Sequence, residues 1–150
     1  MIRRFCAAVV VSAALVQGAG AESAPYVPYS GIIKGTDGAV AVPLTLLNAT
    51  GADIACQAEL AHWYSVDLGR AGNGQSVAAM LWHDPATGRL NLLNETQHQM
   101  PVEAIWCGHP PGIHATRGRV SLPYLQGTSP AAMTATCTDG DASRVICNAN

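Results

Sequence analysis

Charge is scarce in this sequence: 8 Lys+Arg and 10 Asp+Glu in 150 residues, 12% of the chain. That excludes long disorder and charge-laced coiled coils, both of which need many more ionic side chains. Lys34 is the sole lysine, and beyond Arg3-Arg4 at the N-terminus the arginines are scattered apart from Arg117 and Arg119, so no basic cluster is available to hold phosphate or anionic lipid. Nucleic acid is not an expected partner. Long hydrophobic runs are also missing. The longest, Phe5 to Val16 broken by Ser12, is well short of the roughly 20 residues a bilayer demands, so no membrane span is expected.

That run has a different reading. Met1-Ile-Arg-Arg4 precedes it and Ala19-Gly-Ala21 follows it, the charged, apolar and small-residue order of a secretory signal peptide. Cleavage is expected after Ala21. It would remove Arg3, Arg4 and no acid, taking the net charge from -2 to -4. Residues 22–38, with Pro25, Pro28, Gly31, Gly35 and Gly38, read as an extended lead-in, and residues 39–150 as one domain in the periplasm or secreted.

Cys6 would leave with the signal, and Cys56, Cys107, Cys137 and Cys147 would remain. An even number in an exported chain favours disulfides, and no C-x-x-C or zinc-finger spacing supports thiolate ligation. Three pairings are possible. Cys56 with Cys107 and Cys137 with Cys147 is preferred, because the second pair closes a short loop around Thr138-Asp-Gly-Asp141.

From Val40 onward, short apolar runs alternate with turn signals about every ten residues, the punctuation of an all-β domain. Expected strands are 40–48, 53–64, 76–83, 90–94, 101–107, 120–125, 134–138 and 143–147. The early cysteine, Trp63 seven residues on, and a second cysteine 51 residues after the first loosely resemble an immunoglobulin-like layout. Trp63 comes early for it, and Ile105 stands where a tyrosine corner would need Tyr. The resemblance implies a single β-sandwich and nothing about function; with the cysteine pairing above, the expected fold is an immunoglobulin-like β-sandwich stapled by two disulfides.

Hydrolase and nucleotide motifs are missing: there is no G-x-S-x-G, H-E-x-x-H or P-loop. His62, Ser65 and Asp67 form a local set, but in an extended segment His62 faces away from the other two, so only a bend would unite them. No catalytic residue is assigned. Two other groups remain. Trp63, Tyr64, Met80, Trp82 and Trp106 suggest a binding patch, since the strand from Ser76 to His83 lacks a polar face. His62, His83, His98, His109 and His114 with Met80 and Met100 offer imidazole and thioether ligands that suit copper. Asn48-Ala-Thr50 and Asn94-Glu-Thr96 fit the glycosylation sequon, read as chance because the short, Ala-rich signal looks bacterial. The sequence thus leads to a non-catalytic accessory or binding protein without a cofactor, whose partner is another exported protein, with a periplasmic copper-binding or copper-delivery protein as the alternative.

Overall fold

The computed structural model describes residue 31 and residues 33–150; the expected signal segment and most of the lead-in lie outside the described residues. Nine strands follow in order: β1 (Val40–Asn48), β2 (Ile54–Leu60), β3 (Tyr64–Ala71), β4 (Ser76–Asp84), β5 (Arg89–Leu93), β6 (Gln99–Gly108), β7 (Gly118–Val120), β8 (Met133–Asp139) and β9 (Val145–Ala149). One short helix, α1 (Ile113–Thr116), links β6 to β7. The all-β expectation holds.

The sandwich does not. β6 pairs with β5, β5 with β4, β4 with β1, β1 with β8, β8 with β9, β9 with β7, and β7 with β6 again. Those pairings close a seven-stranded barrel, and β2 and β3 extend from β6 as a hairpin. Closure depends on the length of β6, which serves β5 through Gln99–Pro101, β2 through Val102–Gly108 and β7 through Ile105–Cys107. It also depends on Gly118. A Cβ there would collide with the carbonyl of Val145, so only glycine lets β7 lie this close to the start of β9.

Alternation builds the interior. Along β1, Val42, Leu44 and Leu46 are buried while Ala41, Pro43 and Leu47 face out. Ile54, Leu81, Ile105, Val120 and Val145 join them at 2% exposure or less, each aliphatic burial being worth roughly 1.5–3 kcal/mol. Asn48 is buried as well: its amide donates to Ala52 O and Ala71 O, and its Oδ1 accepts from Thr50. That sequon is a structural turn.

Both disulfides form with the preferred connectivity. Cys56 lies opposite Cys107 in the β2–β6 ladder, and Cys137 opposite Cys147 in the β8–β9 ladder. The sulfurs of Cys107, Cys137 and Cys147 lie within 4.8 Å of one another, so the two bridges touch in the core.

Two strand expectations are corrected. The run 53–64 stops at Leu60, and a separate strand, β3, follows a turn. The run 120–125 is strand only up to Val120, since Pro123 has no N–H to give a ladder and the segment instead rests on His83. The end of the lead-in is tied to the barrel. Gly35 N–H donates to Gln97 O, and Gln99 N–H donates to Ile33 O.

Candidate functional site

Between β2 and β3 the chain turns through Ala61–Trp63, a single 3-10 turn in which His62 (φ 66°) and Trp63 (φ 67°) are both left-handed. Bulky L-residues avoid that region, at a cost of order 1–3 kcal/mol each, and such residues gather at functional sites. Their effect here is to turn the Trp63 side chain outward. Trp63 is fully exposed at 102% and Tyr64 is 64% exposed. An indole left in water forgoes a burial worth at least the roughly 1.5–3 kcal/mol of a large apolar side chain.

Beside this turn lies a groove of about 870 Å³. Leu60 from β2 and Met100 from β6 contribute to its floor, Leu68 comes from β3, and Leu92 and Leu93 come from β5. Its polar lining is His62, Ser65, His98 and the Asn94–Glu95–Thr96 turn. Tyr64, Ser65 and Val66 all line it. Side chains alternate along a strand, so Tyr64, Val66 and Leu68 line the groove from one face of β3, and Ser65 between them shows that it also reaches the edge of the strand. A bulge opposite Cys56 and Gln57, with Gly69 at φ 116°, separates this stretch from the rest of β3.

The turn at His62 supplies the bend that an extended segment lacks, and His62 and Ser65 line the same groove. Asp67 does not join them: it is not among the lining residues, and its Oδ1 accepts Gly69 N–H.

The expected patch is divided. Tyr64 lines the groove, Trp63 projects into solvent from the turn beside it and is not part of its lining, and Met80 and Trp82 lie on the outward face of β4, 45% exposed and half-buried respectively. Trp106 is half-buried under Arg117, whose guanidinium carbon is 4.4 Å from the ring centroid and whose Nη1 donates to Glu59. Sequence reading missed Leu68, Leu92 and Leu93. The alternation of Tyr64, Val66 and Leu68 with Ser65 and Asp67 was the signal for β3, and the adjacent Leu92 and Leu93 were the signal for a strand with no polar face.

The expected copper ligands are divided too. His83 is buried; its Nε2 donates to Leu125 O at 2.7 Å, and its Nδ1 accepts from Ser129 Oγ at 2.7 Å. His109 lies between Asp53 O at 2.9 Å and Asp139 Oδ1 at 3.0 Å, and His114 is exposed on α1. Asp139 also accepts Gly51 N–H at 2.8 Å; that bond first, and His109 second, hold its carboxyl below the usual range. Only His62, His98 and Met100 share the groove. Among the described residues, the three acidic, histidine or cysteine ligand atoms close enough for a metal are Cys107, Cys137 and Cys147, which are committed to disulfides.

Comparison with family models gives no match, and neither does comparison with curated proteins. A protein from Eubacterium rectale solved by NMR has a similar outline at a TM-score of 0.43 and 9% identity, over 74% of this chain and 89% of that one.

Proposed function

We propose that this is an exported binding protein that works without catalysis, presenting the groove and Trp63 to another exported protein in the periplasm or outside the cell. The observation that carries the reading is Trp63, fully exposed on two successive left-handed residues, between His62 and Tyr64, which both line an apolar groove. A chain serving stability alone would bury that ring or place glycine in the turn. Export is supported by the N-terminal order of charged, apolar and small residues and by two disulfides, which persist in oxidising compartments. The test is an apolar, environment-sensitive dye. Its fluorescence should rise on the wild-type protein and fall on Leu92→Lys and on Trp63→Ala. Equal fluorescence on all three proteins would refute the groove as the binding site.

A second reading, copper binding, has one specific observation behind it: His62, His98 and Met100 line the same groove. Thr96 Oγ1 lies 3.0 Å from His98 Nδ1, the arrangement that orients an imidazole and leaves Nε2 for a ligand. Imidazole with thioether suits copper. Native mass spectrometry after copper loading and mild chelation would show a retained adduct that disappears in His98→Ala. No adduct on the wild-type protein would end this reading.

A further inference from the structure

The groove is bounded by a strand that is hydrogen-bonded on one side only; β4 comes close to β3, but the two do not pair. Among the described residues, β3 pairs with β2 alone, so the outward N–H and C=O groups of Tyr64–Leu68 have no ladder partner. β5 is open on the facing side for part of its length. Asn91 pairs with both Trp82 and Pro101, whereas Leu92 and Leu93 pair only with Met100 and Gln99 of β6. Because the groove reaches the edge of β3, a ligand lying in it meets backbone groups as well as side chains. A compact apolar molecule would leave those groups unsatisfied; an extended backbone would pair with them.

We propose that the occupant is an extended segment of a partner protein, added to β3 as a further strand. The proposal rests on the groove being the binding site and names what fills it. The open stretch from Tyr64 to Leu68 spans roughly 17 Å at the usual rise per residue, enough for about five residues of the incoming strand. Alternate side chains of that segment would pack on Leu60, Leu68, Leu92 and Met100. Glu95 is the one carboxylate among the lining residues, which include no lysine or arginine. Charge complementarity therefore calls for a cationic residue at the Glu95 end of the segment.

The test uses a short synthetic peptide of alternating valine and threonine, made with lysine at its first or at its last position. Hydrogen exchange of the intact protein should slow at least tenfold at outward-facing amides of Tyr64–Leu68 with one of the two peptides. Methylating alternate backbone nitrogens of that peptide should abolish the effect. Glu95→Lys should weaken binding by roughly two- to fivefold, the range of an exposed charge pair, and glutamate in place of the peptide lysine should restore it. Shifts at Leu92 and Trp63 without protection of β3 would overturn strand addition and leave the groove reading standing. Protection that ignores both N-methylation and the charge at Glu95 would also overturn it. If neither peptide perturbs any groove residue, strand addition fails, and the dye result separately decides the groove.

Discussion

The pair of strands β2 and β6 ends in two opposite ways. At one end Cys56 is bonded to Cys107, the neighbouring bridge lies against it, and His109 links the backbone of Asp53 to the carboxylate of Asp139. Covalent bonds, burial and ionic hydrogen bonds all hold that end. At the other end the chain leaves Leu60 through two left-handed residues, exposes Trp63 and opens onto a groove with an unpaired strand edge. The first arrangement lowers the free energy of the fold. The second raises it by several small amounts, which the stapled end can carry while the fold stays intact. The difference teaches where this molecule is built to hold and where it is left open.

Removing the staple should produce the largest change. In the chain-entropy account, Cys56→Ala with Cys107→Ala loses on the order of 4 kcal/mol, and Cys137→Ala with Cys147→Ala about 3 kcal/mol, because the first bridge spans 51 residues and the second 10. Urea midpoints should fall in that order. Equal losses would show that local packing and not loop length sets the contribution.

His83 comes next. Truncation to alanine removes the donor to Leu125 O and the acceptor for Ser129, and leaves a cavity; a loss of about 2–4 kcal/mol is expected in the same urea titration. A loss below about 1 kcal/mol would mean that the segment after β7 is held by other contacts.

At the open end the sign should reverse. Trp63→Gly relieves a left-handed residue and should stabilise the fold by about 1 kcal/mol while dye binding drops. Destabilisation would contradict the contrast drawn between the two ends.

The smallest effect concerns acid. The folded-state pKa of Asp139 lies below its ordinary value, so its ionised form stabilises the fold above the unfolded-state value near 3.8, and the contribution is lost as pH falls through the folded value. Thermal midpoints should therefore hold from neutrality to about pH 5 and decline below about pH 4. Asp139→Asn should flatten that acid limb.

Much of the strand pattern was legible because its signals are local. β1 has the bounds its alternation implies, and the cysteine pairing follows from a short turn that brings Cys147 back to Cys137. The barrel was not legible: it is closed by the parallel pairs β1–β8 and β7–β9, which join residues distant in sequence and leave no mark in any local window. The site was half legible. Trp63 and Tyr64 stood out by type, but the turn that exposes them contains none of the glycine, asparagine or proline that ordinarily announces a reversal. His62 and Trp63 adopt that backbone because β2 and β3 pair on either side of them, and the part Leu68, Leu92 and Leu93 play depends on how β3 and β5 approach each other, which no local window shows.

The pairing of β1 with β8 also governs when the molecule can exist. Leu44 waits for Met133, and β7 waits for β9, so β1, the first of the described strands, keeps one margin bare until almost the last has emerged. Contacts this remote slow folding and cannot be made piecemeal. A chain stalled or cut before residue 133 would hold Val42, Leu44 and Leu46 on a strand with one unpaired edge and no closed barrel to enclose them, a sticky ribbon where the complete chain presents a closed wall.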